Sequence, residues 1–355
     1  MSEELRVAPA ALQQCVREIF ASVGIPAEQA EQVAAHLVEA DMVGHPSHGV
    51  HRVPWYLEQI ASGQMRPFPE IQAERALPSS EIWDAARGFG IIAAERAMRR
   101  AVTLAQERTL ALVAVRDASH SGRLGAYSAL AAQAGCLGLM VLNGGSRFVA
   151  PFGSGERRLP PNPLSFSAPI DERQVMTIDM STSTAAGGKA QVAVLEERPL
   201  PPGFMVDEAG EDATDADRFL RGEVAMRPLG GALMGHKGFG LAMMVEVLAG
   251  ALSGAGVSQH DERRGNGFSC LAIRIGSFLP LAEFYAEMRA LLAWVKDAPP
   301  IPGQPTVRYP GEPEEEARRE ALQLGVPLST AIWERLGHCA ASCGVALPAA
   351  LASGS

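Results

Sequence analysis

The sequence predicts an α/β protein of two lobes, and three observations predict it. The chain has 355 residues, beyond the size at which one hydrophobic core usually stops growing. Its opening stretch, through Ser62, carries only helical periodicity. From about residue 80, short buried strands alternate with helices, the signature of an α/β layer architecture.

The elements follow in order. Residues 9–23 set Leu12, Val16, Ile19 and Phe20 on one helical stripe that Gly24 ends. A second helix, 27–42, turns Ala30, Val33, Ala34 and Leu37 inward, and "VPWYLEQIAS" reads as a third. "EIWDA" is a short strand, 91–107 an Ala-rich helix, and "LALVAV" (110–115) a buried strand. A helix over 124–135 and the strand "LGLMVL" (137–142) continue the alternation. The region 145–235 is rich in Pro and Gly, with strand pieces at 164–168 and 175–179 and an acidic solvated loop at 207–217. "GFGLAMMVEVLAGALSGAG" predicts a long apolar helix, followed by a strand near 270–276 and a helix at 281–295. A Pro-rich extended return, 297–316, leads into a final helix pair at 314–323 and 329–344. There is no internal repeat.

Composition excludes several classes. A formal net charge of −9 opposes a phosphate-tracking nucleic-acid binder. No uninterrupted apolar run reaches the roughly 18 residues of a membrane span, and "MSEELRVAPA" lacks the basic and apolar regions of a signal peptide. Five scattered cysteines fit reduced thiols, so a cytoplasmic location is expected. His338, Cys339 and Cys343 form an incomplete zinc set, and no metal is expected.

Chemistry concentrates in a few motifs. "GHPSHGVHR" (44–52) holds three of the eight histidines. It reads as a metal site, as an acid/base with a carboxylate clamp, or as a polar helix start. Pro46 favours a helix beginning at 45–47 with Ser47 as cap, which puts His48 and Arg52 on one face. An arginine forks onto a carboxylate and a histidine moves a proton near neutral pH, so the pair suits a small acid bearing a hydroxyl or carbonyl. "RDASHSGRLGAY" (116–127) is a turn after a buried strand. There Gly122 permits close approach to a ligand and Arg123 could meet a phosphate, or else it is an exposed turn carrying an incidental His120. "TIDMSTSTAAGGKA" (177–190) suits ribose hydroxyls, and polar loops share that composition. In "GHKGFG" (235–240), His236 and Lys237 open an apolar helix. "GFGIIA" (88–93) matches G-x-G-x-x-A but lacks the strand length and the acid placement of a dinucleotide fingerprint, so its glycines read as a turn into a helix.

Together, "ADMVGHPSHGV", "HSGRLG", "VAPFG", "NPLSF", "IDMSTS", "GHKGFGLAMMVEVLAGALSGAG" and "YPGE" resemble the malate/L-lactate dehydrogenase family almost end to end. Among its members, the "HSGRLG" turn, the "AWVKDAP" segment and the "GHKG" form are most similar to the hydroxycarboxylate dehydrogenases.

The resemblance implies a non-Rossmann fold: a mixed-sheet cofactor domain over 76–296 and a helical domain from both termini, 1–75 and 297–355. It implies hydride transfer between NAD or NADP and a small 2-oxo or 2-hydroxy acid, in a homodimer with the active site near the interface. His48 and His120 are the catalytic candidates, with Ser47 and Arg52 binding substrate. Cofactor residues would be His48, Gly122, Arg123, Leu124, Thr177, Ile178, Asp179, Met180, Ser181, His236, Lys237, Asn266, Tyr309, Pro310, Gly311 and Glu312. Two positions depart from the pattern. Pro160 and Pro161 replace the usual Gly-Thr before "NP", removing a backbone N–H, and Lys189 stands where cyclic-imine reductases carry an aspartate. Imine reduction, a non-catalytic cofactor binder and a metal-dependent hydrolase are the alternative functions.

Overall fold

The computed structural model describes residues 4–195, 198–259 and 265–351. A short strand, β1 (Glu4–Val7), opens the chain and leads into α1 (Pro9–Ser22), α2 (Ala27–Met42) and α3 (Val53–Ala61). Pro9 sits at the start of α1, where its missing N–H has no intrahelical partner to lose. Gly24 follows the helix at φ +84°, the left-handed stop that glycine supplies. The inner stripes of α1 and α2 form one core with Tyr56, Met65 and Phe89.

The sheet lobe comes next. It contains β2 (Gln72–Leu77), β3 (Ser80–Asp84), α4 (Gly90–Arg108), β4 (Leu110–Ala118), α5 (Gly125–Gln133), β5 (Cys136–Asn143), β6 (Leu164–Pro169) and β7 (Val175–Met180). A small unit follows: α6 (Gly187–Leu195), β8 (Met205–Val206), β9 (Asp212–Ala213), α7 (Ala216–Leu220) and β10 (Ala225–Met226). Then come α8 (Gly231–Val245), β11 (Asn266–Arg274), α9 (Leu281–Lys296), α10 (Glu312–Leu324), β12 (Val326–Ser329) and α11 (Thr330–Ser342). β12 returns to pair antiparallel with β1, Glu4 opposite Ser329 and Val7 opposite Val326, so both chain ends close the helical core.

The main sheet runs β2-β3-β4-β11-β5-β6-β7. Only β3 and β4 are parallel, joined through α4, and every other pair is antiparallel. The sheet is therefore mixed and is not a Rossmann sheet. Alanines of α4 (Ala93, Ala94, Ala97, Ala101, Ala105) pack one face, their small side chains bringing the helix close to the strands. β2 belongs to this sheet and spans the expected domain boundary at 75/76. The three-stranded sheet β10-β8-β9 builds a separate core with α6 and α7, so the segment expected as a solvated loop at 207–217 contains a strand and a helix start.

"GFGIIA" is a turn into α4, as expected, and its glycines serve packing. A Cβ on Gly88 would lie 2.7 Å from Pro69, and one on Gly90 would lie 2.3 Å from the Ser119 carbonyl. The start of α4 is thus closed by protein.

The long apolar helix begins earlier than expected, at Gly231, and passes into a π-helical stretch, Glu246–Ala251. This 21-residue stretch is apolar enough by average to cross a membrane. Its buried Glu246, however, accepts hydrogen bonds from Asn143, Asn162 and the Ser258 N–H, which ties it into the fold.

A methyl group at position 90 has no space without moving backbone. We expect Gly90→Ala to lower stability by about 1–3 kcal/mol, the usual range for overpacking, in urea unfolding; an unchanged midpoint would show that the turn yields freely.

Candidate active site

The histidine segment does not start a helix. Two 3₁₀ turns, Pro46–His48 and Val50–Arg52, are broken by Gly49 in an extended conformation, and α3 begins only at Val53. The cause lies beneath it. Asp41, buried at the end of α2, accepts the Val50 N–H at 2.8 Å, and a Cβ on residue 49 would lie 1.9 Å from its Oδ1. The chain must cross this carboxyl as glycine, so a continuous helix cannot form. Ser47 caps nothing; its Oγ lies 3.0 Å from His48 Nδ1. Nor do His48 and Arg52 meet as an i, i+4 helical pair, because Arg52 folds back and its Nε donates to the Ser47 carbonyl at 2.9 Å.

Tertiary packing brings His48 to His120 instead. The two half-buried rings stack with centroids 5.6 Å apart and planes inclined by 11°. Tyr56, fully buried on α3, places its hydroxyl 2.7 Å from His120 Nδ1, and Trp55 meets the same ring edge-on. Burial pushes the Tyr56 phenol up, so it stays a neutral donor. The same hydroxyl approaches the His120 carbonyl at 3.4 Å, so Tyr56 holds the ring and its backbone together.

Burial, and next the positive charge of Arg52, hold His48 down to about 3 and His120 well below its ordinary value. Both imidazoles are uncharged at neutral pH. Arg52 is half-buried, burial opposes its charge, and among the described residues no carboxylate lies within ion-pair range of it. A desolvated cation without a counter-ion is costly unless a ligand supplies one.

α2 also sets the second turn. His36 Nε2 accepts the Arg123 N–H at 3.0 Å, and Gly122, at φ +65°, is required there because a Cβ would sit 2.1 Å from that nitrogen. The glycine therefore permits approach to His36, not to a ligand. The Arg123 guanidinium is buried, held at 2.7 Å by Glu39 and facing Asp179 at 4.0 Å, so it is not free to meet a phosphate. Asp179 accepts the Gly125 N–H at 2.6 Å, which occupies its carboxylate at the start of α5.

Beyond these turns opens a groove of about 670 Å³ between α2 and α5 on one side and β7 and α10 on the other. Arg123, Thr177, Asp179, Tyr309 and Gly311 line it. The Thr177 N–H donates to the Pro310 carbonyl at 3.1 Å, and Gly311, at φ +93°, packs against Thr177. Lys296 pairs with Glu312 and lies 5.6 Å over the Tyr309 ring, which secures the 309–312 turn. Ile178 and Met180 continue along β7, Ser181 follows its end, and buried Leu124 leads into α5. Asn266 bridges the site's edge, donating to the Ser119 carbonyl and accepting the Gly145 N–H, each at 3.1 Å. The groove has the volume of a small-molecule cleft, and none of His48, His120 and Arg52 lines it.

His236 and Lys237 stand apart from this cluster. They lie in the second turn of α8, exposed, with His236 edge-on to Phe152 at 5.7 Å. They do not open the helix, because left-handed Gly230 starts it and buried Gly235 and Gly238 pack it onto Phe152 and Leu229.

The mixed sheet, with a histidine–arginine cluster where the 44–52 segment meets the turn after β4, sets the fold outside the Rossmann class. The chain belongs to the malate/L-lactate dehydrogenase family, which it matches over residues 7–337. It is 34% identical to malate dehydrogenase of Pyrococcus abyssi over 93% of this chain and 92% of that one. Identity with L-lactate dehydrogenase of Cupriavidus necator is 33% over 98% of this chain and 100% of the relative. Hydroxycarboxylate dehydrogenase B of Escherichia coli is 30% identical over 93% and 92% of the two chains. Among solved structures, malate dehydrogenase from Entamoeba histolytica superposes with a TM-score of 0.93 at 25% identity, covering 98% of this chain and 100% of that one. Δ1-piperideine-2-carboxylate reductase from Pseudomonas syringae gives a TM-score of 0.81 at 28% identity, covering 94% and 99%.

Three residues that organise the site escaped the motifs, His36, Glu39 and Tyr56, while Asp41 lay within "ADMVGHPSHGV" without a role. His36 and Asp41 are polar residues buried within the packed part of α2, and Tyr56 follows Arg52 by four.

Burial raises the Asp41 carboxyl from the usual 3.8 to about 8. The folded protein thus holds this proton more tightly than the unfolded chain, and stability falls as pH rises through that window. Asp41→Asn retains the acceptor for Val50 and should remove this component of the slope. Its stability relative to wild type is expected to rise with pH in urea unfolding; parallel pH curves would show that Asp41 ionises normally.

Proposed function

We propose that the chain is an NAD(P)-dependent dehydrogenase that interconverts small 2-hydroxy acids and 2-oxo acids. The observation that carries this reading is Arg52, a half-buried cation lacking an acidic partner among the described residues, beside two uncharged imidazoles. A substrate carboxylate docked on Arg52 supplies the missing counter-charge, and its fork geometry fixes the acid's orientation. Burial is the larger reason both histidines are neutral, and the carboxylate offsets the second one, the field of Arg52, so their proton affinity rises when substrate arrives. In oxidation, an imidazole takes the hydroxyl proton as C2 gives up its hydride; in reduction it returns that proton to the oxygen. A bound nicotinamide supplies or receives the hydride. Tyr56 keeps the His120 ring oriented, and Ser47 does the same for His48.

The groove along β7 and the 309–312 turn would hold the cofactor through Thr177, Asp179, Tyr309 and Gly311. The likeness to a piperideine-2-carboxylate reductase keeps imine reduction as a second reading. Lys189, in place of an aspartate, weighs against it. A second copy of the chain is the proposed cover for the outward face of α8, where Leu233 is 87% and Met243 44% exposed, and the cytoplasm is the proposed location.

NAD(P)H oxidation against a panel of 2-oxo acids tests the activity, and absence of turnover on all of them would overturn it. His48→Ala and His120→Ala separate the two histidines: loss of general acid/base catalysis lowers kcat by about 10²- to 10⁴-fold, whereas a binding residue raises KM alone. Because both imidazoles titrate far below neutrality in the free enzyme, kcat/KM for hydroxy-acid oxidation should show no histidine limb between about pH 6 and 8. A break near 6.5 would contradict the electrostatics described above.

A further inference from the structure

We propose that Asn266 is a positioning residue for His120: its carboxamide fixes the peptide that carries the imidazole and ties it to the Gly144–Gly145 loop. This rests on the dehydrogenase reading and adds to it a residue that acts on the chemistry through another side chain.

The sheet breaks its register where this contact is made. Phe268 of β11 stands opposite Val115 of β4, and an unbroken antiparallel register would set Asn266 opposite Asp117. Asn266 instead faces Ala118. Gly267 alone separates the two pairs on β11, while Arg116 and Asp117 both separate them on β4, so β4 carries one extra residue. Asp117 takes a left-handed φ of +53° to accommodate it. A bulge of this kind re-aims the strand end, and a left-handed residue other than glycine persists only where its surroundings enforce it. The turn that bears His120 follows at once. Gly265, at φ +70°, lets β11 start close beneath it, because a Cβ there would lie 2.6 Å from the Ala118 carbonyl.

The bulge delivers the Ser119 carbonyl to Asn266, whose Nδ2 donates to it at 3.1 Å. The N–H of the same Ser119–His120 peptide only turns back to the Ser119 hydroxyl at 2.7 Å. The carbonyl is therefore the end of that peptide tied to another strand. On its other side the Asn266 Oδ1 accepts the Gly145 N–H at 3.1 Å, and a Cβ on Gly144 would lie 2.1 Å from that oxygen. One carboxamide thus joins the chain leaving β4 to the chain leaving β5. His120 itself has His48 stacked on its face, the Tyr56 hydroxyl at Nδ1 and Trp55 set perpendicular to it. Nε2 is the ring nitrogen left to meet a substrate, and with the ring so packed, any shift of the peptide moves Nε2 with it. A displacement of about 1 Å at such an atom can cost on the order of 10²-fold in rate.

Steady-state kinetics on the full chain test this, with NAD(P)H binding measured separately by calorimetry. Asn266→Asp keeps the shape and the acceptor for Gly145 but loses the donor to Ser119; Asn266→Ala loses both. Each is expected to lower kcat about 10- to 100-fold and to leave the cofactor Kd within about twofold. In a His120→Ala background, Asn266→Ala should cost less than about a further twofold, because residues that act as a unit are not additive. The isosteric Asp variant decides the matter if the Ala variant does not fold. Weakened cofactor binding at unchanged kcat would make Asn266 a cofactor ligand. Wild-type kcat in the Asp variant would deny the Ser119 contact any part, and an undiminished loss in the His120→Ala background would show that Asn266 acts elsewhere. Each of these overturns the inference and leaves the dehydrogenase reading intact, whereas no turnover of any 2-oxo acid by the wild type overturns both.

Discussion

The site hangs from the second half of α2. His36 and Glu39, three residues apart, face the turn after β4, one accepting the Arg123 N–H and the other holding its guanidinium. Asp41, rotated away from them, holds the loop that carries His48 and Arg52 through Val50. A helix is stiff over such a short span, so these three side chains act as fixed pegs. Two loops from different lobes are thereby set against one another, and the stacked imidazoles follow. Two of the pegs are desolvated: burial pushes His36 down to about 3 and Asp41 up to about 8. These two hold backbone N–H groups as neutral side chains, while Glu39 pairs with the Arg123 guanidinium.

Electrostatically the centre is unfinished on its own. Arg52 carries the charge and the neighbouring rings cannot balance it, because its field is one reason they stay neutral. A carboxylate changes both conditions together. Binding and acid/base competence are thus linked through one guanidinium, and a neutral alcohol or ketone of the same shape leaves the imidazoles as they were.

Much of this was legible in the sequence. The helices of both lobes, the strands from β3 to β7 and the buried α5 follow from periodicity, because each presents a full stripe or a continuous apolar run to a core. Motif order carried the family, and the rejection of "GFGIIA" holds because its glycines meet Pro69 and the Ser119 carbonyl. What was hidden is non-local. β1 and β12 are four residues each and acquire meaning only by pairing with one another. Two-residue strands such as β8 and β9 carry no period at all. Pro46 argued for a helix, and Asp41 beneath Gly49 prevented one. Arg123 and Gly122 looked ligand-facing because the partners that absorb them, Glu39 and His36, lie more than 80 positions away.

The β1–β12 ribbon has a consequence for how the molecule is made. Arg6 reaches the Gly325 carbonyl across 319 positions of chain, and Ala321, Val326, Leu328 and Leu336 complete a core begun by Leu12 and Val16. On the ribosome, the first three helices emerge with that core open, while the sheet lobe can already collect its more local contacts. The loop bearing His48 acquires its full support only when the final helices arrive. A nascent chain that still lacks α10 to α11 therefore exposes an apolar face that quality control can recognise, and the histidine segment is supported only once those helices have been made.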